Sequence, residues 1–268
     1  MDKTTIPGLV VAIVALLGGA MMEGTTPDKL LMLPAFIIVF GGTIGAALVS
    51  FPLAVASQIP KYITISIKEV HHDLNHVVET FVTLADRARR EGLLALEQEA
   101  SSLEPFTRRG IQMVVDGSDP ALVREILEAD IDAMRERHKP GAAIFESMGG
   151  YAPTMGIIGT VMGLVHVLEN LSEPDKLGPL IASAFLATLY GIFFANALFL
   201  PLGTKLKGKS GEEAHMKQLV VEGVLAVQAG DNPRVVREKL DAYLPPAIRG
   251  QAANGRGGGA AGADKKAA

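Results

Sequence analysis

The sequence has no cysteine and no tryptophan among its 268 residues. Without cysteine the chain can form no disulfide, thiol nucleophile or cysteine-ligated metal site. The net charge is −4 and there is no basic patch with interleaved aromatic residues, so nucleic acid is not an expected partner. No phosphate-binding glycine loop, nucleophile elbow or zinc-protease motif occurs. We therefore predict neither an enzyme nor a bound cofactor.

Charged side chains are missing from four long apolar runs, residues 4–22, 30–62 apart from Lys61, 147–168 and 177–204. Crossing a bilayer takes about 20 apolar residues in a helix. We predict an all-α integral membrane protein with transmembrane helices at 4–22, 30–58, 147–170 and 177–204. A signal peptide is the alternative for the first run, but Asp2 and Lys3 make a poor basic start for one.

Lysine and arginine are unevenly placed around these spans. Residues 58–146 hold 11 of them and the segment after Thr204 holds another 11, whereas the connections 23–29 and 169–176 hold one lysine each. The positive-inside rule therefore places both termini and the long middle segment in the cytoplasm. We predict a cytoplasmic helical domain at 59–146, cytoplasmic helices at 205–249 and a disordered glycine- and alanine-rich tail at 250–268.

Helical patterns recur within these polar segments. An apolar stripe with steps of three and four residues runs from Ile63 to Ala88 and predicts a stalk helix that continues the second span. Gly92 is a predicted bend, followed by a helix over 93–101. Residues 117–127 and 230–240 share a glycine stop, an Asp or Asn cap and a proline, which predicts a new helix in each and a packed pair of similar units.

The third and fourth spans are rich in small residues. Gly156, Gly159 and Gly163 on the third span would let helices approach closely, and packing alone explains them. Thr160 and Thr188 place hydroxyls in otherwise apolar surroundings near mid-membrane. Each hydroxyl either bonds back to its own helix or lines a wet crevice; the sequence leaves both interpretations open.

Carboxylates are absent from residues 4–22, 30–58, 147–168 and 177–204, and His166 near the outer end of the third span is the one Asp, Glu, Lys, Arg or His side chain among them. Proton relays across membranes use ionisable side chains. If this protein moves protons, a partner must therefore supply the titrating carboxylate. In the cytoplasmic domain, a charged group surrounds Gly92 and is either a solvated face or a docking surface: Arg87, Arg89, Arg90, Glu91, Glu97 and Glu99.

Two stretches resemble the MotA family of flagellar-motor stator subunits, within the wider group that includes the ExbB and TolQ energisers. They are residues 89–97 (RREGLLALE) and 149–164 (GGYAPTMGIIGTVMGL). The likeness extends over about residues 5–244, and the two-plus-two order of spans is also similar to MotA. ExbB and TolQ have three spans and fit less well.

The resemblance implies a homopentamer around two copies of MotB in the bacterial inner membrane. MotB would supply the ion-binding aspartate and anchor the complex to peptidoglycan. Ion passage would turn the ring, and the cytoplasmic domain would push on FliG of the rotor. An energiser of outer-membrane transport and a membrane scaffold without transport are the alternatives.

Site residues follow from the resemblance by motif position. It implies rotor-binding charges at Arg89, Arg90 and Glu97, an ion path past Thr160 and Thr188, coupling prolines Pro153 and Pro201, and an acidic coupling position at Glu146. Sodium-driven relatives tend to carry threonine where this chain has Ala187. One hydroxyl fewer leaves fewer oxygens to replace a cation's hydration shell, which favours protons.

Overall fold

Every regular element is a helix in the part of the chain that the computed structural model describes, residues 4–69, 73–246 and 248–249. In chain order the helices are α1 (Thr5–Met22), α2 (Leu33–Phe36), α3 (Gly42–Ser50), α4 (Leu53–Ala56), α5 (Ile59–Ile67), α6 (Leu74–Glu91), α7 (Leu96–Ala100), α8 (Pro105–Val115), α9 (Pro120–Glu169), α10 (Pro174–Phe194), α11 (Leu200–Gln228) and α12 (Pro233–Asp241). The predicted tail, 250–268, lies outside the described residues.

The chain divides into two compact units. The span unit lies within Met1–Val70 and Glu136–Ser210, and the polar unit lies within His71–Arg135 and Gly211–Ala268. Among the described residues, four helical stretches are long and apolar enough to cross a membrane: Thr5–Met22, Pro27–Ser50, Pro120–Glu169 and Pro174–Gln228. The predicted all-α fold with four spans is confirmed. Within this single chain α1 buries none of its residues, so its apolar surface is left for lipid or for other chains.

The predicted stalk is wrong, because the second span does not continue as one helix. Helix α3 ends at Phe51, whose backbone is extended (φ −124°, ψ 144°), directly before Pro52. The residue before a proline is pushed out of the helical region by the proline ring. Helix α5 then ends at Lys68, also extended, and a new helix starts at Leu74 under an Asp73 cap. The apolar periodicity continues from Ile63 to Ala88, but the helix is broken between α5 and α6.

A tertiary contact holds the end of α5. The ammonium of Lys209 on α11 donates to the backbone carbonyls of Ile65, Ser66 and Lys68. Carbonyls in the last turn of a helix have no partner within the helix, and a cation satisfies both their hydrogen bonds and the negative end of the helix dipole. This contact comes from a residue far along the chain, and local periodicity contains no sign of it.

The polar unit has its own hydrophobic core. Phe81 and Leu84 from the predicted stripe are at most 1% exposed and pack with fully buried Leu127, Leu219 and Leu240. The stripe on α6 therefore faces this core. The predicted helix after Gly92 is present as a 3₁₀ turn, Leu93–Ala95, followed by α7.

The two similar segments both begin helices, as predicted. Gly117 and Gly230 end the preceding helices with positive φ, 74° and 70°. Asp119 and Asn232 each accept a hydrogen bond from the backbone N–H two residues later, at 2.8 and 3.0 Å. Gln228 ends the helix before the second segment, and its side chain donates to the carbonyl of Ser118 in the first segment at 2.6 Å. The two similar units therefore contact each other.

Candidate ion path and docking surface

Helices α9 and α10 approach so closely that only small residues fit between them. A Cβ atom built on Gly163 would lie 2.7 Å from the Cβ of Ala184 and 2.9 Å from its Cα. One built on Gly156 would lie 2.8 Å from the carbonyl oxygen of Ala187. These distances are shorter than van der Waals contact, so the glycines permit the helix–helix approach.

Thr160 and Thr188 meet between these two helices. The Thr160 hydroxyl lies 3.0 Å from the carbonyl of Gly156 on its own helix and 3.0 Å from that of Ala184 on α10, and the two threonine hydroxyls are hydrogen bonded to each other. A hydroxyl has one proton, so when Thr160 donates to a carbonyl its oxygen accepts from Thr188. Both side chains are half-buried. The bond of Thr160 back to its own helix is therefore present, and the hydroxyl also joins a pair with Thr188; a wet crevice at this position stays a prediction.

Ala187, adjacent to Thr188, points into a packed region. It is 1% exposed and belongs to a small cluster with Ala35 and Val39. A Cβ built on Gly159 would lie 2.7 Å from the Ala187 Cβ. Within the single chain, Ala187 therefore packs between helices, and its part in ion choice stays a prediction.

The two coupling prolines lie within long helices. Pro153 lies inside α9 and Pro201 inside α11. Each lacks an N–H, so the carbonyl four residues earlier loses its helical donor. A π-helical segment, Ala195–Phe199, immediately precedes Pro201. A cavity of about 360 Å³ opens beside Pro201 and is also lined by Asn196 and Lys205.

Glu146, the predicted acidic coupling residue, pairs with a lysine. Its carboxylate lies 2.6 Å from the Lys207 ammonium, and the two side chains are 37% and 60% exposed. A Cβ built on Gly203 would lie 3.0 Å from the Glu146 Cγ, so the close approach of α9 and α11 also depends on a glycine. An ion pair this exposed adds little stability, about 1 kcal/mol or less, and is free to exchange partners.

No acidic group faces the threonine pair in the described part of the span unit. Residues 147–168 and 177–204 contain no Asp or Glu, and no cluster that could hold a metal ion occurs among the described residues. His166 is 59% exposed and contacts Glu169 at 3.4 Å, at the end of α9. Among the residues that the structure describes, no acidic side chain is hydrogen bonded to the hydroxyl pair.

The predicted rotor-binding side chains, Arg89, Arg90 and Glu97, are all exposed around the turn at Gly92. Gly92 has a φ of 87°, a conformation that favours glycine. Arg90 pairs with Asp86 one turn earlier at 3.0 Å. Among the described residues, neither Arg89 nor Glu97 has an ion-pair partner. The turn between α6 and α7 forms a corner of the polar unit, and all three residues lie within five positions of Gly92 along the chain.

Arg87 joins the two sides of this corner. It pairs with Glu91 at 3.1 Å, as its spacing predicts, and with Glu99 on α7, a contact that sequence spacing does not indicate. The Glu99 carboxylate, followed by that of Glu91, raises the pKa of Arg87 above its ordinary value. The guanidinium of Arg108 also stabilises the end of α7, because it donates to the carbonyls of Ala100, Ser101 and Leu103 at 2.7–3.1 Å.

Fold and site together define a class: a four-span helical membrane protein with a hydroxyl pair between small-residue helices and a separate polar unit that presents charges. Residues 98–219 match the MotA/TolQ/ExbB proton channel family, and residues 6–92 match the motility protein A N-terminal family. The chain is similar to motility protein A of Bacillus subtilis, 38% identical, with 95% of this chain and 97% of the relative covered.

Solved structures give the same result. The flagellar MotAB stator complex from Bacillus subtilis matches with a TM-score of 0.88 at 38% identity, covering 92% of this chain and 98% of that one. The structure of C. jejuni MotAB matches with a TM-score of 0.87 at 31% identity, covering 92% and 97%. The chain belongs to the motility protein A (MotA) family of flagellar stator subunits.

Proposed function

We propose that this chain is the stator subunit of a bacterial flagellar motor, which forms an ion channel with MotB and converts ion flow into torque. The observation that carries the proposal is the nearly full-length similarity to solved MotAB complexes, at 38% identity and a TM-score of 0.88. An energiser of the ExbB or TolQ type is not favoured, because the match includes the motility protein A N-terminal region, residues 6–92.

The partner requirement has an independent physical argument. The spans contain no carboxylate, and the hydroxyls of Thr160 and Thr188 do not titrate in the physiological range. A proton path therefore needs an ionisable group from another chain. MotB supplies this aspartate, with two MotB copies inside a ring of five copies of this chain.

Orientation follows from charge. The lysine- and arginine-rich segments lie in the cytoplasm and the two short connections outside, so both termini are on the cytoplasmic side of the bacterial inner membrane. The polar unit is then the part that reaches the rotor. Arg89, Arg90 and Glu97 face FliG of the rotor ring, where complementary charges speed association and set orientation.

Protons are the proposed ion. The Thr160–Thr188 pair and a partner carboxylate suffice for a proton and water, whereas a sodium ion needs several more oxygens in place of its hydration shell. Ala187, buried and apolar, adds no oxygen next to this pair.

Ion flux through reconstituted vesicles tests this function. Vesicles with this chain alone should acidify no faster than empty vesicles under an imposed gradient. Vesicles with this chain and its MotB should conduct, and replacing the MotB membrane aspartate by asparagine should abolish the flux. Substantial conduction by the chain alone would refute the partner requirement. No conduction by the complex in any orientation would favour the membrane-scaffold alternative.

A further inference from the structure

The cavity beside Pro201 lies between two spans of the span unit. One of its walls comes from the first turns of α1, and the other comes from the π-helical segment Ala195–Phe199 and the start of α11. Its volume of about 360 Å³ is within the range of ligand pockets, about 300–1,000 Å³. The stator function proposed above makes no use of this cavity.

Three polar side chains meet at one end of the cavity. The ammonium of Lys205 on α11 donates to the hydroxyl of Thr4, at 3.1 Å, and to that of Thr5. A hydroxyl oxygen that accepts a hydrogen bond keeps its own proton for donation. This end of the cavity therefore combines a cation with O–H donors, which are the groups that bind phosphate oxygens.

The remaining wall is mostly apolar. Leu9 and Ala12 line it from α1, and Leu198 lines it from the π-helical segment. At 1.5 Å per residue, Ala12 lies about 10 Å along the helix from the polar end. Asn196 is the one other polar side chain among the described lining residues, and it donates to the carbonyl of Ile192 on its own helix at 2.8 Å. The cavity thus has one polar end and a long apolar side.

The bilayer decides which molecules reach this cavity. Thr4 begins the first apolar run and Lys205 directly follows the fourth, so the polar end lies at the depth of the lipid headgroups and the apolar wall lies beside the acyl chains. The described lining residues include no Asp or Glu, so the ammonium of a zwitterionic headgroup would find no carboxylate partner there. Basic pockets between spans on the cytoplasmic side are typical sites for anionic headgroups.

We propose that this cavity binds an anionic phospholipid of the inner leaflet, with its phosphate at Lys205 and Thr5 and one acyl chain against Leu9 and Ala12. The proposal goes beyond the stator function and rests only on the proposed orientation of the spans. Helix α1 buries none of its residues within the single chain. A lipid in this position would contact both α1 and α11 and would fill the space between them.

Lipid binding is measured by native mass spectrometry on the full-length chain in its complex with MotB, stripped of lipid in detergent. The wild type should retain phosphatidylglycerol more tightly than phosphatidylcholine with the same acyl chains. Lys205→Gln should weaken phosphatidylglycerol binding about five- to tenfold and remove most of this preference. Lys61→Gln is the matched control, because Lys61 is an exposed lysine that follows the second span and does not line the cavity.

A second pair of variants tests the apolar wall. A Cβ built on Gly8, which lines the cavity, meets nothing within 4 Å, so Gly8→Leu should fold normally and fill the space that the acyl chain takes. Gly8→Leu should therefore weaken the binding of both lipids. Gly19→Leu is the control, because a Cβ at Gly19 also meets nothing within 4 Å and Gly19 does not line the cavity.

Three outcomes would overturn the proposal. The first is equal retention of the two lipids by the wild type, with no change in Lys205→Gln and Gly8→Leu. The second is displacement of the lipid by inorganic phosphate, which would indicate a site for a free anion. The third concerns a diazirine side chain at Leu9, which should crosslink to lipid; crosslinking to a second copy of this chain would show that protein covers the cavity. Lipid binding needs no ion flow, so a complex that binds the lipid without conducting would count against the stator proposal alone.

Discussion

Replacing Gly163 by alanine should push α9 and α10 apart, and Gly208→Ala on α11 provides a matched control. The new methyl at Gly163 would lie 2.7 Å from the Ala184 Cβ, whereas one at Gly208 meets nothing within 4 Å. Ordinary carbon–carbon contact is about 3.5–4.0 Å, so the helices must part by about 1 Å. The Thr160 hydroxyl, now 3.0 Å from the Ala184 carbonyl, would then lie beyond hydrogen-bonding distance.

The expected magnitude follows from comparing the two variants. Glycine to alanine in a helix gains about 1 kcal/mol in backbone propensity at either position. Overpacking at Gly163 costs about 1–3 kcal/mol, and no such cost arises at Gly208. The difference in unfolding free energy between the variants should therefore be about 1–3 kcal/mol, with Gly163→Ala the less stable.

Denaturant unfolding of the purified complex in mild detergent measures this difference, and proton flux through vesicles shows its consequence. Gly163→Ala should unfold at lower denaturant and conduct less, because Thr160 loses its contact to α10. Gly208→Ala should equal or exceed the wild type in stability and leave flux unchanged. Equal stability of the two variants would refute the argument that close packing at Gly163 positions the hydroxyl pair.

Four further predictions concern the ion path and the docking corner. Thr188→Val, which keeps shape but removes the hydroxyl, should lower torque without lowering expression. Because Ala187 adds no oxygen, tethered cells should keep rotating when sodium is removed at fixed pH and should stop with an uncoupler at high sodium; the reverse would refute proton drive. Arg90→Glu should impair swimming and be partly rescued by the complementary reversal on FliG, whereas unchanged swimming would favour a merely solvated face. Arg87→Glu should speed hydrogen exchange over residues 92–97 and reduce swimming, and adding Glu99→Arg should restore both; an exchange rate equal to that of the wild type would show that the ion pair does not hold the turn.

Several features of this protein could be predicted from the sequence because they depend on local composition. Four apolar runs of bilayer length predict four spans whatever the tertiary contacts, and the two Gly–Asp/Asn–Pro segments predict helix ends and starts through capping. The absence of carboxylates from the spans is likewise a property of the sequence alone. It led to the prediction that a partner supplies the titrating carboxylate, and the family resemblance then implied that this partner is MotB.

The candidate site was only partly predictable. Residue types and motif positions indicated Thr160, Thr188, Arg89, Arg90 and Glu97, but not which of them meet. The threonines are 28 residues apart in sequence, and their hydroxyls are hydrogen bonded because glycines permit α9 and α10 to approach.

What the sequence by itself determined was the number of spans, the sites of helix caps and the need for an outside carboxylate, because each depends on residues close together in the chain. Only the tertiary structure decided where the apparent stalk breaks, because Pro52, the Asp73 cap and the distant Lys209 override an unbroken apolar period. It also decided that Arg87 pairs with Glu99 and that Leu94 faces solvent, since the direction of a side chain at a turn depends on how the flanking helices pack.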